Sequence, residues 1–459
     1  MPRSRWRILC QNLDAVGFLT GLVLILAATP AGAVPAFAAQ TGQPCQACHV
    51  GGFGPQLTPV GRNFKLRGYT QRTTSFSVPL SAMAVASYLR TDKAQDPPPA
   101  PGFHANDNSV VDQVSLFFAG GFGPHLGAFV QATYDGVGKA YTWDNLDLRA
   151  TTTAQIKGVE VVLGTSLNNS PGVQDAWNTL PAWGYPYTDS ALAPSPTAAP
   201  LLSGALAQTT LGVTAYAWIN SELFLEAGAY GSPQANTLAR LGADPTSPGD
   251  IDGLAPYGRI ALQRSLGGGT VEVGAFGLQA DVHPGRDRST GRTDRFTDLG
   301  VDASYQRALE TGDVVSLNAR YLHERGSLDA TCALAIPSGG GPPPGSCSRS
   351  SLNDARIDAS YYWRNKLGAT VAAFDTWGSA NPTLFPDART FRPDSSGVIF
   401  QVDGTPFGDR EQPARRVNLR VGVQYIAYAR FNGARTNLDG AGANASDNNS
   451  LRIFAWFAY

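Results

Sequence analysis

The sequence predicts an all-β fold: a transmembrane outer-membrane β-barrel of about 16 strands behind a short N-terminal plug segment. Three observations point there. From residue 76 to residue 459, stretches of about ten residues alternate apolar and polar side chains between turns, the pattern of strands with one face in lipid and one in water. Short connections alternate with long ones, as periplasmic turns alternate with outer loops. With 51 glycines, 10 % aromatic residues and two methionines, the chain is rich in turn formers and interfacial rings rather than in the fillers of a soluble enzyme core.

The elements follow in order. Arg3, Arg5 and Arg7 precede an apolar run, Val16 to Ala28, and the small-residue site Ala31-Gly32-Ala33. This reads as a secretory signal peptide over residues 1–33, so an exported bacterial chain is expected. The competing reading is an uncleaved anchor, which Pro30 and its small neighbours disfavour. Cys10 leaves with the signal. Loss of Arg3, Arg5, Arg7 and Asp14 moves the formal net charge from −1 to −3, a balance that gives no sign of a nucleic-acid partner.

Residues 34–75 contain Cys45-Gln46-Ala47-Cys48-His49, and Cys-x-x-Cys-His is spaced for covalent attachment of a c-type haem. Two thiols one helical turn apart reach the two vinyl groups of one haem, and the imidazole after them sits under the iron. Cys45 and Cys48 are thus the expected thioether residues, His49 the expected axial ligand, and one covalent haem c the expected cofactor. A zinc or redox Cys-x-x-Cys is the competing reading. Zinc needs a second ligand pair, and residues 50–75 contain neither Cys nor His. A helix is expected over Thr58–Gly68. Thr58 caps it, Pro59 suits its first position, Val60 and Phe64 share a face, and Gly68 suits a left-handed stop. One short helix buries too little to stand alone, so the segment is expected to pack against the rest of the chain.

Alternation sets the barrel strands. In Val417–Phe431, the residues Val417, Leu419, Val421, Val423 and Tyr425 oppose Asn418, Arg420, Gln424 and Arg430. In Asp354–Arg364, Ala355, Ile357, Ala359, Tyr361 and Trp363 oppose Asp354, Arg356, Asp358 and Ser360. In Val315–Tyr321, Val315, Leu317, Ala319 and Tyr321 oppose Ser316, Asn318 and Arg320. Charged faces do not sit cheaply in hydrocarbon, so they line a wet lumen. A soluble sandwich is the competing reading, but a chain this long needs several, and no linkers divide it. Short turns are expected at 121–125, 157–158, 220–222, 267–269 and 310–313. Long outer loops are expected at 92–109, 166–205, 231–252, 329–351 and 432–449. Trp177, Trp183, Tyr185 and Tyr187 crowd the second of these loops and are expected to pack it on the barrel mouth. Cys332 and Cys347 flank a Gly/Pro-rich stretch, and in an exported chain they read as a disulfide. Leu451, Ile453, Ala455, Phe457 and Tyr459 alternate to an aromatic end, which resembles the assembly signal of outer-membrane proteins. A barrel of about 16 to 18 strands leaves an aqueous channel, and residues 34–75 can plug it.

The chain resembles the fused cytochrome–porins of bacterial outer membranes, a monohaem cytochrome joined to a C-terminal porin. The resemblance covers the mature chain by layout. It is most specific from Ala36-Phe37-Ala38-Ala39-Gln40-Thr41-Gly42 through the haem motif to Gly54-Pro55 and Leu57-Thr58-Pro59-x-Gly61-Arg62-x-Phe64-Lys65-Leu66-x-Gly68-Tyr69. The best-known members are proposed iron oxidases, and relatives occur outside iron oxidisers. It implies an outer-membrane electron carrier more firmly than it implies Fe(II) as donor. The expected partners are an extracellular reductant such as Fe(II), a periplasmic cytochrome or copper protein, and outer-membrane lipid. Competing functions are a porin-type channel with the haem segment as gate, sensor or structural plug, and outward electron export.

Residues 34–75 hold no Met and no second His, so a standard distal iron ligand must come from the barrel. Met83 follows the signal's Met1 as the only other methionine. Val78, Leu80, Ala82, Ala84 and Tyr88 are expected to face lipid, which leaves Ser77, Ser81, Met83 and Ser87 facing the lumen. Met83 is the candidate distal ligand, and ligation by Met raises a haem potential. The alternatives are a gap-filling Met83, His125, or five-coordinate iron; His104, His283 and His323 map to outer loops or strand ends. Arg62, Lys65 and Arg67 read either as a solvated helix face or as partners for lumen carboxylates such as Asp302 and Asp358, and Arg62 and Lys65 are candidates for haem propionates.

Overall fold

The computed structural model describes residues 36–73, 78–180, 187–335, 348–407 and 417–459. The expected signal peptide, Ser77, Trp183, Tyr185 and Cys347 lie outside them.

One antiparallel sheet takes most of the chain. Its strands are β1 (Leu80–Thr91), β2 (Asn108–Gly121), β3 (Leu126–Asp135), β4 (Ala140–Ile156), β5 (Val159–Asn168), β6 (Leu211–Ile219), β7 (Leu223–Gly231), β8 (Gly249–Ile251), β9 (Ala255–Leu266), β10 (Gly269–Pro284), β11 (Asp294–Ala308), β12 (Val314–Leu328), β13 (Arg349–Trp363), β14 (Leu367–Gly378), β15 (Ser395–Gly404), β16 (Asn418–Arg430) and β17 (Ser450–Ala458). β8 is a three-residue piece beside the end of β10. The other 16 strands form the wall, and β7 pairs directly with β9. β1 closes the ring on β17, with Met83 opposite Ala458 and Thr91 opposite Ser450. Closure removes the unpaired edges that hydrocarbon does not tolerate.

The expected alternation is present. Leu299, Val301, Leu317, Ile357, Val371 and Val421 are exposed on the outer face. Asp147, Arg149, Arg259, Glu272, Asp302, Arg320 and Arg420 are buried on the inner one. The lumen departs from the expected open channel because it is packed. Many of its charges are paired: Arg149 with Asp147 at 2.9 Å, Arg259 with Asp302 at 2.7 Å, Arg452 with Asp112 at 2.6 Å.

Two segments fill it. The first is the plug, with α1 (Ala36–Thr41), α2 (Cys45–Cys48) and α3 (Pro59–Leu66). Thr58 caps α3 by accepting from the Gly61 amide at 3.3 Å, and Gly68 is left-handed at φ +69°. The expected Val60–Phe64 face is only half right. Phe64 is buried while Val60 is exposed, because Gly61 sets the contact by lying against the Cys48 carbonyl. The second segment is the described part of the β5–β6 connection, residues 169–180 and 187–210. It turns inward instead of resting on the barrel mouth. Trp177 is buried against Trp218 and Phe224, and its Nε1 donates to Gln263 at 3.2 Å. Lumen carboxyls give the loop polar partners inside: the Leu201 amide donates to Glu324 at 2.8 Å and the Leu202 amide to Asp298 at 2.7 Å.

Val301 lies midway along β11 on the lipid face. Val301→Arg should destabilise the barrel by about 2–4 kcal/mol, the usual effect of a cation at the bilayer midplane. Urea titration in vesicles, read by the heat-modifiable gel mobility of the folded barrel, measures it.

Candidate functional site

The Cys-x-x-Cys-His motif is held by its own chain first. The His49 amide donates to the Cys45 carbonyl at 2.9 Å and closes the turn of α2. The Thr58 amide donates to the Cys48 carbonyl at 2.9 Å, and the Thr58 hydroxyl to the Ala47 carbonyl at 2.6 Å. These bonds clasp the motif to the start of α3. A side chain at position 61 would sit 2.3 Å from the Cys48 carbonyl oxygen, so only glycine lets the helix approach this closely.

The barrel wall supplies the other side. Cys45, Cys48, His49, Phe53, Met83, Phe117, Asn418 and Trp456 line one cavity of ≈ 250 Å³. Met83 is buried and faces the lumen, packed with Phe53, Val85, Phe454 and Trp456. The Cys45 sulfur accepts from Asn418 Nδ2 at 3.3 Å. Asn418 and Met83 both stand opposite Ala458, so two strand spacings, about 10 Å, separate their backbones. Of the described Met and His residues, His49 and Met83 line the cavity. His125 is exposed in a turn, with Nδ1 2.8 Å from the Thr151 carbonyl oxygen.

Electrostatics separates the competing readings of the motif. Burial pushes the His49 pKa down to about 4, against an upward pull from the Gly54 backbone, and nearby Arg420 lowers it further. The imidazole is therefore neutral, the form that ligates iron. Its buried Nδ1 has no hydrogen-bond partner. Burial also raises both thiols, Cys48 to about 11. A redox Cys-x-x-Cys works through lowered thiol pKa values, so that reading fits poorly. Among the described residues no three His, Cys, Asp or Glu converge on a metal position, so neither does a zinc site. Two apolar-lined thiols, a neutral imidazole and a facing thioether fit a covalent haem.

Arg420 braces the loop after His49. It donates to the Gly51 carbonyl at 3.0 Å and the Phe53 carbonyl at 2.5 Å. Its guanidinium stands 5.2 Å from the Phe53 ring and 5.6 Å from that of Trp456. The alternation placed Asn418 and Arg420 on the lumen face, but no local signal tells which strands meet the plug. Lys65 also lines the cavity, yet its ammonium donates to the Val173 carbonyl at 2.6 Å and the Asp175 carbonyl at 2.8 Å. Arg62 does not line it; its Nε donates to Gln263 at 2.9 Å. Neither is a solvated surface residue, since both are buried. Arg67 pairs with Glu160 rather than with a lumen carboxylate. Asp302 is taken by Arg259, and Asp358 accepts from Asn318 at 2.8 Å. Asn178 of the inward loop donates to the Pro55 carbonyl, so loop and plug lock together. Cys332 is in a disulfide; Cys347, its expected partner, lies outside the described residues.

No family model and no curated protein matches the chain. Solved structures similar to it are outer-membrane barrels. OmpT of Vibrio cholerae is 12 % identical over 84 % of this chain and 99 % of its own, with a TM-score of 0.42. An anion-selective porin from Comamonas acidovorans is 12 % identical over 83 % and 98 %, at 0.41. OmpF of Salmonella typhi, solved with daunomycin, is 11 % identical over 83 % and 98 %, at 0.43.

Gly61→Ala should push the Cys48 carbonyl out of place and lower covalent haem per folded chain several-fold. Val60→Ala, at an exposed neighbour, should leave it unchanged. Haem staining of the folded gel band compares the two.

Proposed function

We propose that the protein is a c-type cytochrome of the bacterial outer membrane, built into a plugged porin-type barrel, and that it carries electrons across that membrane. An extracellular reductant such as Fe(II) is the proposed donor and a periplasmic cytochrome or copper protein the acceptor. The observation that carries this reading is the shared cavity of Cys45, Cys48, His49 and Met83. One haem c, held by Cys45, Cys48 and His49 with Met83 as second iron ligand, supplies a reversible one-electron couple of raised potential. The remaining residues shield and fix the site. Phe53 and Trp456 pack on Met83 and cover its inner side. Arg420 and Thr58 hold the backbone on either side of His49.

A porin-type channel, with the plug as gate, sensor or structural element, is the second reading. A 16-stranded wall with a charged inner face favours it. The packing of plug and loop weighs against it, since Lys65 and Asn178 fasten the one to the other. Outward electron export uses the same residues, and the midpoint potential separates it from Fe(II) oxidation.

The protein purified from outer membranes should give a pyridine haemochrome of one haem per chain, lost in Cys45→Ala with Cys48→Ala. Anaerobic Fe(II) should reduce it; no reduction at any pH removes Fe(II) as donor. Swelling of protein-bearing vesicles in small sugars would favour the channel instead. Met83→Ala should lower the midpoint potential and alter the reduced spectrum, and no change in either would overturn Met83 as ligand.

A further inference from the structure

The cavity lies at one end of the barrel. Its wall residues Ser81, Met83, Phe117, Ala119, Asn418, Trp456 and Ala458 stand toward the end of the barrel where short turns join β2 to β3, β4 to β5, β6 to β7, β9 to β10 and β13 to β14. Short turns mark the periplasmic side. Toward the outer side the inward loop covers the cavity: Asn178 lines it, and the loop is fastened over the plug through Lys65 and Asn178. Toward the periplasm it is open. Gly42 and Gln43 are exposed, and Cys45 and Cys48 are half-buried.

Among the described residues, charge around this opening is mainly basic. Residues 36–73 contain Arg62, Lys65, Arg67 and Arg72 and no Asp or Glu. The wall stretches 78–83, 117–129, 417–420 and 456–459 carry no acidic side chain either. Arg62, Lys65 and Arg420 are buried, and Arg67 is paired with Glu160. Arg72 is exposed at the rim, steadied by the Gly121 carbonyl. Lys157 is exposed at the tip of the β4–β5 hairpin, which runs past β3 beside the opening.

We propose that this periplasmic mouth is a docking face for a small soluble redox protein that presents an apolar patch rimmed with carboxylates. The proposal rests on the electron-transfer reading above. The apolar patch covers Gly42–Cys45, and the acidic rim meets Arg72 and Lys157. One electron leaves the reduced site and enters the oxidised partner, so no further reagent is needed. Complementary charge raises the association rate and makes it salt-dependent.

The test uses the full-length holoprotein and two oxidised probes, an acidic plastocyanin-type copper protein and a basic mitochondrial cytochrome c, in stopped flow. Oxidation by the acidic probe should be several-fold faster, and salt should slow it. Arg72→Glu with Lys157→Glu should abolish that preference at unchanged midpoint potential. Lys93→Glu, on the outer side, should have no effect. Equal rates for the two probes, or a Lys93→Glu effect as large as that of the double variant, would overturn the docking face while leaving the haem. Self-association removed by the double variant would assign the face to a second copy and overturn the proposal. Absence of covalent haem would overturn the reading of the site itself.

Discussion

The segment from Ala36 to Thr73 cannot bury a core of its own, and that shortage shapes the rest of the structure. Segments of about 40 residues need outside support. Here the support is the inside of a barrel. Leu66 packs with Trp177, Tyr216 and Phe224. Phe53 packs with Met83, Phe454 and Trp456. Val50 packs with Val314 and Tyr362. Each of these clusters joins the plug to the wall, so the surroundings of His49 are tertiary rather than local.

A barrel that encloses a segment must also satisfy the charges it encloses. A buried ion left without a partner costs several kcal/mol. Arg259 meets three carboxylates, on the inward loop (Asp175), β10 (Glu272) and β11 (Asp302). Arg149 donates to Asp147, to the Lys65 carbonyl and to the Gln174 carbonyl. Wall, plug and loop are thus tied through single guanidinium groups, each planar and able to serve several partners at once. The residues that make the inner face look like a channel lining also make it a packed interior.

Much of this was legible in the sequence. Period-two alternation placed Arg420, Asp358 and Arg320 inward and Ile357, Leu317 and Val421 outward, and the spacing of turns gave the strand number. The inward placement of Met83 was legible from the alternation along β1. What was not legible depends on contact across the lumen. Nothing near Trp177 signals that its loop turns inward, because the groups that receive the loop are Gln263, Asp298 and Glu324, far away in sequence. Lys65 and Arg62 could be read as surface cations or as partners of haem propionates or lumen carboxylates, and the choice stayed open for the same reason: their partners belong to residues 169–210 and to β9. Val60 misled because helical periodicity says which residues share a face but not where the face stops touching its neighbour.

The seam between first and last strand adds a temporal side to this geometry. Met83 comes from β1, Asn418 from β16, Trp456 and Ala458 from β17. The plug precedes all of them in the chain. Segments far apart in the order of synthesis therefore meet at one place, and the pocket does not exist until the ring shuts. A chain halted before β17 has the whole Cys-x-x-Cys-His motif and most of the wall but only half a pocket, so ring closure and site formation are a single event.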